Sequence, residues 1–177
     1  VVTGSGKGIG RAIAERLTAD GWLVVGLERS PGSGTVEEGV VAEVVLGDAS
    51  DRAVHERAAT VARALAPLAG WVNNAGITKR TPLHELDEAV VREVMSINGF
   101  GYIWGCSVAV SAFVDQGMPG AIVNIGSIHG RSSFVDHAAY EFTKGGIDAL
   151  SRSVAVTYGG LGIRANTVSP GGVRTPH

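Results

Sequence analysis

Short, almost wholly apolar runs alternate along this chain with longer stretches in which apolar residues recur every third or fourth position. The runs at 1–3, 23–27, 43–46, 70–73, 121–125 and 163–168 are too short for helices and rich in β-branched residues, so they predict strands. Ile9, Ile13 and Leu17 recur every four residues and predict a helix after the first strand. A second helical pattern covers 51–68 and closes near Pro67, with His55 read as a surface residue. A third covers 83–97, with Leu86, Val90, Val91 and Val94 on one side, and a fourth covers 138–150. Residues 31–39 are Gly-rich with little helical pattern, so the helix expected there is short or absent. Strands alternating with helices predict an α/β fold, a doubly wound parallel sheet in one domain.

The stretch 97–114 has no charged residue over 18 positions, which reaches the length of a membrane span. It also holds Asn98, Gly99, Gly101 and Gly105, and is read as a buried or subunit-contacting helix, with no membrane role. At 177 residues the chain has the volume for a real core, and 45% hydrophobic against 18% charged residues excludes a disordered chain. A net charge of −2 without a basic stripe argues against nucleic acid as a partner. Cys106 is the single cysteine, which excludes an internal disulfide and a Cys-rich zinc motif, and no metal site is expected. A cytoplasmic location fits that cysteine usage. Val1 opens inside an apolar run, so residues are expected to precede it.

Two stretches carry candidate chemistry. The first is Gly4-Ser5-Gly6-Lys7-Gly8-Ile9-Gly10, between a predicted strand and a predicted helix. Glycines let the backbone turn tightly and approach a pyrophosphate, and the helix start offers unpaired N–H groups to it. A nucleoside-triphosphate P-loop is excluded, because Val1 and Gly8 stand where its first Gly and its Ser or Thr are needed. Glu28, at the end of the next strand, is placed to bind adenosine ribose hydroxyls and to repel a 2′-phosphate. That favours NAD, while Lys7 and Arg29 pull towards NADP.

The second stretch runs from Ser127 to Lys144. Tyr140 and Lys144 are four apart and share a face if 138–150 is helical. A phenol ionises near ~10 and moves protons poorly at neutral pH, and a neighbouring ammonium favours the phenolate. Ser127 sits at the carboxyl end of a predicted strand, where parallel sheets bind ligands. A nucleophile elbow is excluded because Ile125 occupies its first Gly position. A Ser-His hydrolase using Ser127 with His129 or His137 lacks an acidic orienter at a telling position. Lys144 pairing with Asp148 is the plain structural alternative for that lysine.

Taken together, Thr3-Gly4-Ser5-Gly6-Lys7-Gly8-Ile9-Gly10, Asn73-Asn74-Ala75-Gly76, Asn98, Ser127, Tyr140-x-x-x-Lys144 and Pro170-Gly171 resemble the short-chain dehydrogenase/reductase family, in order and spacing over nearly the whole chain. The resemblance implies a Rossmann-type sheet and hydride transfer between a nicotinamide cofactor and an alcohol or ketone. It implies Tyr140 as acid and base, Lys144 as phenolate stabiliser and ribose ligand, Ser127 as partner of the substrate oxygen, and Asn98 as holder of a relay water. It implies pyrophosphate binding at Gly4, Ser5, Lys7, Gly8, Ile9 and Gly10, and an adenine contact at Asp48. It further implies support for the cofactor loop from Asn74, Ala75 and Gly76, and a nicotinamide lining of Pro170 and Gly171. NAD is the expected cofactor, NADP remaining possible, and a homotetramer or homodimer is the expected assembly. The family runs on beyond the Pro170-Gly171 turn, so the C-terminal part is expected to be missing. A non-catalytic NAD(P)-binding regulatory or scaffold protein is the alternative, opposed by the intact set Asn98, Ser127, Tyr140 and Lys144. His129, Arg131, Phe134 and His137 stand where substrate contacts are expected, with Arg131 suited to an anionic substrate.

Overall fold

A computed structural model describes residues 1–30 and 39–174. Within them, six parallel strands form one sheet in the order β3-β2-β1-β4-β5-β6. The strands are β1 Val2–Thr3, β2 Val25–Glu28, β3 Glu43–Leu46, β4 Gly70–Asn73, β5 Gly120–Ile125 and β6 Ile163–Val168. Order reverses between β1 and β4, which makes their carboxyl ends the switch point where such sheets open a crevice. The doubly wound architecture expected from the alternating pattern is therefore present. The connection at 31–38 lies outside the described residues.

Five α-helices flank the sheet among the described residues: α1 Gly8–Ala19, α2 Arg52–Leu65, α3 Glu88–Val94, α4 Gly101–Gln116 and α5 Ala138–Tyr158. Asp51 caps α2 by accepting from the Ala53 N–H at 2.9 Å. One core lies under α2, α4 and α5 and is built on Leu27, Trp71, Phe113, Ile122 and Ile163. A smaller one lies under α1, around Val2, Ala14, Val24 and Val72.

Several expectations need correction. The second strand starts at Val25, not Leu23, whose side chain is 61% exposed. The helix expected over 83–97 is broken. Leu83–Glu85 is a single 3₁₀ turn, Asp87 restarts the chain as the cap of α3, and Leu83 and Leu86 face solvent. Met95–Phe100 then winds as a π-helix into α4. The last helix extends past residue 150 to Tyr158. His55 is buried, not a surface residue. It stacks on Trp71 at 5.9 Å, and its Nε2–H donates to the Ala49 carbonyl at 2.7 Å. Burial holds its pKa below the ordinary histidine value, so the ring is neutral at neutral pH.

A polar ladder crosses the sheet inside the larger core. Asn73 and Asn124 are directly opposed across β4 and β5, and Asn124 opposes Thr167 across β5 and β6. Asn73 Nδ2 donates to Asn124 Oδ1 at 2.8 Å, and Asn124 Nδ2 donates to Ser151 Oγ on α5 at 2.9 Å. Trp71 Nε1–H donates to Asn73 Oδ1 at 2.9 Å. Each group finds a partner, as burial of amides requires. Gly105 on α4 passes so close that a Cβ there would stand 1.9 Å from Asn73 Oδ1 and 2.9 Å from Trp71 Nε1.

Gly105→Ala is therefore expected to lose about 2 kcal/mol, because overpacking against a fixed network exceeds the helix-propensity gain of about 1 kcal/mol. Gly146→Ala on α5, where an added Cβ meets nothing within 4 Å, is expected to gain stability instead. Urea unfolding of the two variants checks the opposite signs.

Candidate active site

The carboxyl ends of all six strands meet along one edge, and the sequence-predicted residues gather there. After β1 the chain turns through Gly4 at φ +68° and Gly8 at φ +57°, a region that glycine enters without strain. Gly10 must lack a side chain, since a Cβ would sit 2.0 Å from the Gly4 carbonyl oxygen. α1 follows with no side-chain cap from Lys7 and no acidic residue in its first turn. Its leading N–H groups are thus left for an outside acceptor.

Neighbouring strand ends brace this loop. Thr3 Oγ1 accepts from the Asn74 and Ala75 N–H groups, each at 2.9 Å. Asn74 Nδ2 donates to the carbonyls of Thr3 and Gly4 at 3.0 and 3.2 Å. Glu28 Oε1 accepts from Ser5 Oγ at 2.9 Å and from the Gly6 N–H at 2.5 Å. The Gly47 N–H donates to the Glu28 carbonyl at 2.8 Å, which brings exposed Asp48 alongside. Lys7 and Arg29 are exposed at the rim and Ile9 is half-buried. A glycine cradle, a free helix start and an adjacent carboxylate fit a dinucleotide.

The second half of the site hangs from β5 and α5. Lys144 is only 5% exposed. Its Nζ donates to the Ile125 carbonyl at 2.8 Å and to the Tyr102 hydroxyl at 3.4 Å. It lies 5.6 Å from the Tyr140 ring centre and 5.1 Å from that of Tyr102. Burial lowers its pKa to about 8, so the amine stays mostly protonated at neutral pH. Tyr102 is driven the other way, first by burial and then by the proximity of Tyr140, so it remains a neutral phenol. It donates to the Ile125 carbonyl at 2.9 Å. Asp148 does not compete for Lys144, because Arg131 holds it at 3.0 Å. That pairing also removes Arg131 as a free cation for an anionic substrate.

Ser127 caps a 3₁₀ turn, its Oγ accepting from the His129 N–H at 3.1 Å. One residue on, the Ile128 N–H donates to the Pro170 carbonyl at 3.1 Å, and Gly171 faces Ile128. The Pro170-Gly171 turn is thus brought beside Ser127. Asn98 is fully buried in the π-helix. Its side chain pairs with both the N–H and the carbonyl of Ile77, at 2.9 and 2.8 Å, and reaches Thr143 at 3.4 Å.

Three further residues take part. Tyr102, four residues beyond Asn98, supports the lysine. Thr143 Oγ1 donates to the Tyr140 carbonyl at 2.7 Å. Thr81 Oγ1 accepts from the Ala139 N–H at 3.0 Å and so caps α5 from a distant segment. The spacing of Asn98 and Tyr102 could have suggested the first; nothing local marks the others. A cavity of about 750 Å3 lies away from these groups, at the amino ends of β1, β4 and β5, lined by Leu17, Trp22, Pro67 and Pro119.

Comparison with known proteins agrees with this arrangement. The family model for short chain dehydrogenase matches residues 1–177. The 3beta-hydroxysteroid dehydrogenase 1 of Eggerthella lenta is 36% identical over 99% of this chain and 70% of its own length. The galactitol 2-dehydrogenase (L-tagatose-forming) of Cereibacter sphaeroides is 35% identical over 98% of this chain and 70% of its own. The crystal structure of levodione reductase superposes with a TM-score of 0.90 at 32% identity, covering 98% of this chain and 71% of that one. A 4-hydroxyisoleucine dehydrogenase complexed with NADH superposes with a TM-score of 0.86 at 25% identity, covering 98% and 75%. The chain therefore belongs to the short-chain dehydrogenase/reductase family, and is an oxidoreductase that uses a nicotinamide cofactor on alcohols and ketones.

Proposed function

We propose that Tyr140 exchanges the proton in this reaction, giving it to the carbonyl oxygen in reduction and taking it from the hydroxyl in oxidation. The observation that carries the reading is the buried Lys144 ammonium, 5.6 Å from the Tyr140 ring and reached by the Ile125 carbonyl. A positive charge in that position attracts the negative charge that develops on a phenol oxygen as the proton moves. The glycine loop of residues 4–10 and Lys144 would hold a nicotinamide cofactor, which when bound would supply or accept the hydride. Ser127 has its acceptor side used by the His129 N–H, so its own O–H is left to donate to the substrate oxygen as negative charge grows there. Lys144 has one donor beyond the two it uses here, suited to a ribose hydroxyl. Asn98 holds the loop at Ile77 against α5 and is assigned the relay water.

Gly4, Ser5, Lys7, Gly8, Ile9 and Gly10 are assigned to the pyrophosphate, Asp48 to adenine, Asn74, Ala75 and Gly76 to the loop beside the cofactor, and Pro170 with Gly171 to the nicotinamide. Glu28 is assigned to the adenosine ribose, with NAD preferred, and Arg29 to the rim of that site. We read residues 1–177 as one dinucleotide-binding catalytic domain of a cytoplasmic protein with no membrane or nucleic-acid role. The apolar helical run Glu88–Gln116 meets the length of a span, but more than half of its most apolar window is buried, as in a core helix. Exposed apolar side chains on α4 and α5, Ile103 at 43%, Phe142 at 70% and Val156 at 86%, support pairing of copies into a homodimer or homotetramer.

Tyr140→Phe is expected to lower kcat about 10³-fold while cofactor affinity stays within about threefold. NADH oxidation with a panel of ketones, beside fluorescence titration of the cofactor, measures both. Activity retained within tenfold would refute the proton-transfer role.

Lys144→Met separates charge from packing. In the folded protein the lysine pKa is depressed to about 8, while unfolded lysine keeps its ordinary value. Between those values the unfolded chain binds the extra proton, so the lysine's contribution to stability rises with pH through that window. Below about pH 8 the full burden of a buried charge is present. The variant is expected to lose turnover, to weaken cofactor binding, and to exceed the parent in stability at pH 7, the gap narrowing towards pH 10. A gap that does not narrow would sink the charge argument.

Glu28→Gln keeps an acceptor for Ser5 and Gly6 and removes the charge. The ratio of kcat/KM for NADP to that for NAD is expected to rise about tenfold. An unmoved ratio would leave Glu28 with only its loop-bracing role.

A further inference from the structure

Between Ser127 and Tyr140 the chain builds a three-ring stack. His129 lies against Phe134, centroids 4.6 Å apart with planes 19° from parallel. Phe134 lies against His137 at 3.9 Å and 14°. The stack is fixed at both ends of the site. The His129 N–H donates to Ser127 Oγ, and His137 precedes Tyr140 by less than one turn at the start of α5. The Phe134 N–H donates to the Glu141 carboxylate on α5. Asp136 holds the left-handed conformation at φ 60°, uncommon outside glycine. Its carbonyl accepts from the Thr81 N–H at 2.6 Å and its carboxylate pairs with Arg80 at 2.5 Å. Strain held in place by such bonds preorganises a loop.

The hydrogen bonds fix the tautomers. His129 Nδ1 lies 3.1 Å from the Ser132 carbonyl oxygen, and His137 Nδ1 lies 2.6 Å from that of Val135. A carbonyl only accepts, so each Nδ1 carries the hydrogen. In a neutral imidazole, Nε2 is then a bare acceptor. Among the described residues neither Nε2 has a hydrogen-bond partner. Phe134, 41% exposed, separates the two rings with an apolar edge.

We propose that His129 and His137 are specificity-determining residues that select substrates with a hydroxyl on the carbon next to the reacting one, vicinal diols and α-hydroxyketones, whose O–H donates to a free Nε2. The selection rests on the reading that Ser127 and Tyr140 hold the reacting oxygen. Chains that carry only apolar groups at that carbon leave the acceptors without a donor and are disfavoured by about tenfold per acceptor.

The test compares 2-hydroxycyclohexanone with cyclohexanone on the cofactor-loaded protein, as the ratio of their kcat/KM values. The parent is expected to favour the hydroxyketone at least tenfold. His129→Phe and His137→Phe keep three aromatic rings and remove one acceptor each, so at least one of them lowers the ratio about tenfold. His129→Gln and His137→Gln restore an acceptor without the ring, so the matching Gln variant recovers part of the preference, which a purely structural role would not do. A ratio near one in the parent, or an equal ratio in parent and both Phe variants, overturns the proposal. Should neither ketone be reduced, the kinetic ratio has no value and binding carries the test. Calorimetric binding of 1,2-cyclohexanediol against cyclohexanol then decides the selection: tighter diol binding lost on Phe substitution supports it, and equal binding overturns it.

Discussion

A lysine ammonium buried at the carboxyl end of the sheet is the constraint around which this molecule is arranged. A cation at 5% exposure is tolerated only with strong acceptors nearby. Lys144 finds one in the Ile125 carbonyl, at the end of β5, and a second in the neutral Tyr102 hydroxyl. Tyr102 donates to that same carbonyl, so lysine and phenol share one acceptor and neither drifts from it. The aromatic faces of Tyr102 and Tyr140 enclose the charge at 5.1 and 5.6 Å. Cation–π attraction of this kind is worth about 2 kcal/mol where water is excluded. Burial lowers the Lys144 pKa even with those contacts in place.

The π-helix at Met95–Phe100 belongs to the same arrangement. An asparagine within a helix competes with the backbone and is disfavoured. Here Asn98 is satisfied from outside the helix, by both polar groups of Ile77. That clamp fixes the segment after Asn74-Ala75-Gly76 against the helix, and Gly76 is tight enough that a Cβ would stand 3.2 Å from Asn98 Oδ1. The widened turn is a local defect held by tertiary bonds, the usual setting of π-turns at working sites.

The parts of the site that repeat along the chain were readable in sequence; the parts made by distant segments were not. Tyr140 and Lys144 are four apart on one helix, and the glycines of 4–10 stand between strand and helix, so periodicity alone places them. Strand ends were equally legible, which located Glu28, Asp48, Asn74 and Ser127 on one edge. His55 was misplaced because helical spacing says which residues share a face but not which face meets Trp71 across the fold. The helix over 83–97 was overextended because apolar residues at plausible spacing outweighed the capping residue Asp87. Tyr102 and Thr81 act on α5 from 42 and 58 residues away, separations that no local pattern spans. Arg131 suits an anionic substrate as far as sequence goes, because its partner, Asp148, lies 17 residues on along a different element.

The polar ladder explains how a helix delivers its lysine to a fixed point. Lys144, Ile147, Ser151 and Val154 form one buried stripe of α5, spaced at helical intervals. Lys144 binds the carbonyl of Ile125 and Ser151 binds the side chain of Asn124, so the helix grips adjacent residues of β5 at two points two turns apart. Sliding α5 along its axis would break both contacts together. Asn124 is itself locked to Asn73, and Asn73 to Trp71, so the register passes sideways through the sheet to β4. An apolar core would let α5 settle in several near-equal positions, whereas a satisfied hydrogen-bond ladder admits one. On this argument the buried amides are the reason that the amine of α5 and the hydroxyl of Ser127, just beyond β5, hold a constant separation before any substrate arrives.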